Sequence, residues 1–134
     1  MRIMSNTFFG RGNLGAAPTL RHAERSGEST PVTNLRIFFD RPKPDGNGDF
    51  EDKGGFWLDV ALWGPRAEQA ARLLPKGARV HVEGELFEST WSDRETGEER
   101  SRLEVRASAV DLDLARVEDV TFRRRNESAG ATDA

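Results

Sequence analysis

The residues with most chemical scope in this chain are aromatic: Trp57, Trp63 and Trp91, which are all of its tryptophans, together with Phe38 and Phe87. Each falls at an outward-pointing position of its predicted strand. Indole and phenyl faces are flat and apolar, so a row of them suits a flat aromatic ligand or another apolar surface. Taken singly, such residues more often cover a core from its other side or form a subunit interface. Five on one face shift the balance toward a binding platform. Arg36, Arg41, Lys43, Lys53, Arg102 and Arg106 lie on or near the same segments and could supply cations for an anionic partner, although each alone reads as ordinary solvated charge.

Other chemistries find less support. Gly10, Gly12 and Gly15 spell GxGxxG, but Ala16, Ala17 and Pro18 turn the chain where a dinucleotide fingerprint must open a helix. These glycines read as backbone bends. His22 and His81 are far apart and belong to no ligand-spaced cluster. Asp45, Asp49, Glu51 and Asp52 do not reproduce calcium-loop spacing, and no serine has a plausible base nearby. The absence of cysteine removes disulfides, thiolate metal sites and thiol nucleophiles. No enzyme activity, cofactor or metal is expected.

The elements that must position the aromatics follow from hydrophobic period. In Phe56–Trp63, Phe56, Leu58, Val60 and Leu62 alternate with Trp57, Asp59, Ala61 and Trp63, so aliphatic and tryptophan faces are opposite. A first strand runs over Asn6–Leu14 and bends at Gly15–Pro18, with Thr19–His22 continuing it. Glu24–Pro31 reads as a polar turn. A second strand, Val32–Phe39, turns Leu35, Ile37 and Phe39 inward. Arg41–Gly55 has no periodicity and is expected to be one long loop. Pro65 opens a short helix with Ala67, Ala70, Ala71 and Leu74 inward, stopped by Pro75 and Gly77. Ala78–Trp91 is a fourth strand, with Val80, Val82 and Leu86 inward and a bulge or bend at Gly84. After a hairpin tip at Ser92–Glu99, Arg100–Leu112 returns with Leu103, Val105 and Ala107 inward and Arg102, Glu104 and Arg106 outward.

Strand, strand, strand, helix, strand, strand predicts an all-β, five-stranded OB-fold barrel with one short helix between strands 3 and 4. An SH3-like barrel lacks this helix and fits less well. A length of 134 residues allows one domain. It is placed at residues 6–116, after an N-terminal extension over 1–5 in which Met4 could be an alternative start, and before a disordered tail over 117–134. No apolar run is long enough to span a membrane and no secretory segment is visible, so a cytoplasmic protein without a membrane partner is expected. The net charge of −3 argues against a nucleic-acid partner, but it does not describe how charge is distributed. A row of aromatics with cations beside it is what sequence-independent single-strand binding requires, since every base has a face to stack.

The chain resembles the bacterial single-stranded DNA-binding protein family through GNLGAAPTLR, VTNLRI, FWLDVALWG, KGARVHVEGEL and TWSDRETGEER, in the family's order and spacing from about residue 6 to 114. The resemblance implies an OB fold, a homo-oligomer (usually a tetramer, otherwise a dimer) and single-stranded DNA as partner in replication, recombination or repair. By position, Trp57, Trp63 and Trp91 match the family's stacking sites. The family's further stacking aromatic falls near Lys43, where Phe38 or Phe39 could substitute. Asp59 stands where a basic residue is common, and Phe87, Glu88, Ser89 and Thr90 replace a basic run, which implies weaker or more salt-sensitive binding. The acidic, phenylalanine-ended tip is missing, so recruitment of replication or repair enzymes through it is not expected. The alternative reading is an OB-fold protein-interaction module with weak or lost DNA binding.

Overall fold

The computed structural model describes residues 6–44, 46–48, 50–52 and 54–125. The expected extension at 1–5, and the tail from 126 on, lie outside these residues. So does Lys53.

The strands are β1 (Thr7–Leu14), β2 (Thr19–Arg25), β3 (Glu28–Phe39), β4 (Pro42–Pro44), β5 (Phe50–Asp52), β6 (Phe56–Trp63), β7 (Arg79–Ser92) and β8 (Glu99–Leu112), with helix α1 (Pro65–Leu73) between β6 and β7. The main sheet runs β1-β7-β8-β6-β3-β2, and a further pairing of β1 with β3 closes β1, β7, β8, β6 and β3 into a ring. This is the predicted five-stranded OB arrangement. Its first strand is β1 and β2 taken together, bent at Gly15–Pro18 and shared between two neighbours. All ring pairings are antiparallel except β6 with β8, where Asp59–Leu62 run parallel to Glu104–Ala107.

Closure occurs at two residue pairs, Asn13 with Phe38 and Leu14 with Ile37, where β1 leaves β7 for β3. The strands approach so closely that a Cβ on Gly12 would lie 2.1 Å from the Phe38 carbonyl oxygen. Only glycine fits beside that backbone. The seam is also tied by side chains. Arg79 donates from Nη1 to Asn13 Oδ1 at 2.7 Å and to Asp40 Oδ1 at 2.9 Å, and from Nη2 to Asp40 Oδ2 at 3.2 Å. This two-point contact with Arg79 holds the Asp40 carboxyl below its ordinary value. Asp113, just after β8, caps the 3₁₀ turn Leu114–Arg116 and accepts from the Ala115 N–H, chiefly for which its carboxyl is also depressed, with the His81 contact at 2.9 Å adding to it.

Inside the ring, Leu14, Leu35, Ile37, Phe39, Leu58, Val60, Leu62, Val80, Val82 and Val105 form the core, and α1 plugs one end with Ala70 and the adjoining Leu74. Pro65 supplies a preset first helical residue after Gly64, whose φ of 95° suits only glycine well. The buried hydroxyl of Thr33 donates to the Ala67 carbonyl at 2.7 Å, fixing the helix on β3. The Gly84 bulge is present as a register shift between Glu83 and Gly84.

Four local expectations are corrected. The polar turn at Glu24–Pro31 shrinks to Ser26 and Gly27, both with positive φ (54° and 80°), because a two-residue turn matches strand twist and lets β2 and β3 pair up to Arg25 and Glu28. The loop Arg41–Gly55 contains the small β4–β5 hairpin. Phe56, expected inward, is half exposed, because it pairs with Phe39 at the rim, where the core ends. Leu103, also expected inward, is 51% exposed: beyond Glu104 the β7–β8 hairpin projects past its pairing with β6, and no described residue forms a layer over its inner side.

Two outcomes follow. Gly12→Ala should lower unfolding free energy by about 1–3 kcal/mol in urea titrations, since backbone cannot yield as a side chain can; an unchanged midpoint would mean the seam is slack. Asp40 and Asp113 have folded-state pKa values below their unfolded ones, so the stability they add is complete above the unfolded value and is lost as pH falls through the folded one. Urea midpoints should therefore drop below about pH 4, and Asp40→Asn, less stable at neutral pH, should drop less.

Candidate functional site

The strand registers put the predicted aromatics and several of the cations on one continuous outer face. On β3 and β6, Phe38 stands opposite Trp57 and Arg36 opposite Asp59. Asp59 is level with Glu104 on β8, and Ala61 with Arg106. On β7, Phe87 faces Glu104, Ser89 faces Arg102 and Trp91 faces Arg100. Because side chains alternate along every strand, these residues share the side away from the core. Trp57 and Trp91 are the most open, at 47% and 42% exposure. Phe38, Trp63 and Phe87 are half-buried.

Trp57 and Phe38 pack with ring centroids 5.2 Å apart at a tilt of 56°. The Trp57 ring also lies hard against Gly15, where an added Cβ would come within 2.6 Å. The third glycine of the GxGxxG decoy thus serves the aromatic face by leaving space for an indole. Phe39, considered as a substitute stacking residue, is core and only 2% exposed, whereas Phe38 is half-buried on the outer face.

Each of four aromatics carries a guanidinium. Arg36 lies over Trp57 at 5.3 Å from the ring centroid, Arg102 over Trp91 at 5.2 Å, Arg106 over Phe87 at 5.5 Å and Arg25 over Trp63 at 5.1 Å. Such cation–π contacts contribute about 0.5–1 kcal/mol at exposed sites. Asp59 is no isolated charge: its Oδ1 accepts from Arg36 Nη1 at 3.1 Å and its Oδ2 meets Arg102 Nη1 at 3.0 Å. Arg102 Nε also donates to Glu104 Oε2 at 3.3 Å.

The hairpin that carries Trp91 is shaped by Asp93. Its Oδ1 accepts from the Glu95 and Thr96 N–H groups at 2.8 and 3.1 Å, and its Oδ2 from Arg100 Nε at 2.9 Å. The Thr96 and Glu95 backbone donors are the main reason its carboxyl sits below the ordinary value. An Asx-type turn of this kind settles where Trp91 lies at the end of the arm.

Of the predicted cations, Arg36, Arg102 and Arg106 are on this face. Arg41 is exposed just after β3, and Lys43 is on β4 in register with Glu51. Arg25, over Trp63, was missed because its segment reads as a turn; the Ser26–Gly27 dipeptide was the signal that could have extended the strand. Arg21, donating to Asn34 Oδ1 at 3.0 Å, extends the same face onto β2. His81 is engaged by Asp113, and among the described residues no His, Asp and Glu cluster could hold a metal. No described helix is long and apolar enough to cross a membrane.

Comparison with known proteins adds four findings. The family model described as "Single-strand binding protein family" matches residues 5–113. A single-stranded DNA-binding protein of Treponema pallidum is 33% identical over 127 residues, covering 90% of this chain and 68% of that protein. Single-stranded DNA-binding protein 1 of a Synechocystis species is 34% identical over 101 residues, covering 75% of this chain and 77% of that one. Among solved structures, a small single-stranded DNA-binding protein from Streptomyces coelicolor superposes with a TM-score of 0.70 at 24% identity, covering 85% of this chain and 99% of that one, a likeness of fold.

Proposed function

Because the chain belongs to the single-strand binding protein family, we propose that it binds single-stranded DNA without sequence preference, in replication, recombination or repair, along the outer face of β7, β8, β6 and β3. It is a binding protein and not an enzyme. The observation that carries the location is the shared face itself: Trp57, Trp91, Phe38 and Phe87 lie among Arg36, Arg102 and Arg106. Bases stack on the rings, each worth about 1–3 kcal/mol, and guanidinium groups pair with phosphates. Trp63, six positions along β6 and so about 20 Å from Trp57, extends the track toward Arg25 and Arg21. Arg41, Lys43 and Lys53 are further phosphate contacts in this reading.

The protein works as a homo-oligomer. In support, β1 pairs with β7 on one side over Thr7–Asn13, and with β3 only at its end. Beside it a cleft lined by Phe8, Phe9, Phe39 and Phe56 exposes apolar surface of the kind a second copy would cover, with Phe9 72% exposed.

Tryptophan fluorescence should quench on titration with oligo-dT, and Trp57→Ala and Trp91→Ala should each weaken binding by about 1–3 kcal/mol. Folded protein that shows no quenching at low salt defeats the reading. Full affinity in both variants would move the strand to another surface. Light scattering should give a multiple of the 14.9 kDa chain mass, and a monomer at every concentration would exclude the assembly.

A further inference from the structure

Four of the five rings on which bases would stack are already partly occupied. A guanidinium stands about 5 Å from the centroid of Trp57, of Trp91, of Phe87 and of Trp63. Two of the four, Arg36 over Trp57 and Arg102 over Trp91, are held by one carboxylate. Asp59 lies on β6 between β3, which carries Arg36, and β8, which carries Arg102, and gives one oxygen to each at 3.1 and 3.0 Å. A carboxylate between two guanidinium groups presents them with the same geometry of paired oxygens as a phosphate does. Asp59 is 24% exposed, and its two arginines are 49% and 56% exposed, so the assembly is open to a strand arriving from solvent.

We propose that Asp59 is a positioning residue of this interface, an internal stand-in for a backbone phosphate that holds Arg36 on Trp57 and Arg102 on Trp91 until the strand's own phosphates take both arginines and free the rings for bases. The proposal rests on the single-stranded DNA reading and adds to it a competitor built into the site. With Asp59 and Glu104 set against Arg36 and Arg102, the centre of the face is charge-balanced, and Trp57 and Trp91 each carry a guanidinium while staying partly open to solvent. Binding then exchanges ion pairs instead of simply neutralising free cations. The carboxylate left behind recovers a counterion, so fewer ions are released overall than the arginines alone would release.

The test uses the full chain and the near-isosteric variant Asp59→Asn, with Glu88→Gln as a control. Glu88 is exposed on β7 at the opposite parity to Phe87, so the control removes the same charge from the other side of the hairpin. Titrations with oligo-dT at several salt concentrations should show Asp59→Asn binding about 3- to 10-fold more tightly at low salt, as expected for two exposed ion pairs. Its log–log salt slope should be steeper by about 0.7, the value for one additional phosphate charge neutralised on a single strand. In the absence of DNA, acrylamide, a neutral quencher, should reach the tryptophans of Asp59→Asn more readily than those of the parent or the control. Parent protein that fails to bind oligo-dT would defeat the functional reading, and the acrylamide comparison would still decide whether Asp59 covers the rings. Parent protein that binds, with Asp59→Asn no tighter and no more salt-dependent than Glu88→Gln, would overturn the role of Asp59 and leave the functional reading standing. Unchanged acrylamide access would overturn it as well.

Discussion

The closure of the sheet at Asn13 and Leu14 is the constraint from which the rest of the molecule follows. A sheet can close only if one strand serves two neighbours, and β1 does so by passing from β7 to β3 across Gly12, whose missing side chain admits the Phe38 carbonyl. Arg79 then ties β1, β7 and the end of β3 through Asn13 and Asp40. Once the ring is shut, β6 must lie between β3 and β8, antiparallel to one and parallel to the other. That position makes Trp57 and Asp59 central to the outer face.

The two sides of the ring obey different physics. Inside, aliphatic side chains are removed from water, and α1 closes one end by packing small residues against β3. Outside, the described residues form no second layer, yet large aromatic rings are present. Each is relieved of part of its exposure by an arginine laid over it or by a neighbouring ring. Contacts of this kind are weak singly and easily exchanged. A face built from them can remain soluble and still give up its rings and cations to a ligand, whereas a face buried as firmly as the core could not.

Much of this was legible in the residues. Alternation in Phe56–Trp63 located β6 to the residue, and Pro65 with Pro75 bracketed α1. Glycine at position 84 announced the bulge. Two of the misreadings share a cause. Phe56 and Leu103 fit the inward parity of their strands but lie where the barrel has no interior left, and parity carries no information about where a layer ends. Arg25 was taken for turn because polarity suggested a loop, although the pairing of β2 with β3 continues to Arg25.

By itself, then, the sequence determined the strand and helix order, the inward and outward sets, the family, and the presence of aromatics and cations in one pattern, because period, turn residues and breakers act over a few neighbouring positions. Only the tertiary structure decided which cation meets which ring and what becomes of Asp59. Read along the chain, Asp59 is a negative charge among stacking residues, separated by more than twenty positions from Arg36 and by more than forty from Arg102. Strand register between β3, β6 and β8 sets it between those two arginines, and register between distant strands is a property of ring closure that no local pattern encodes.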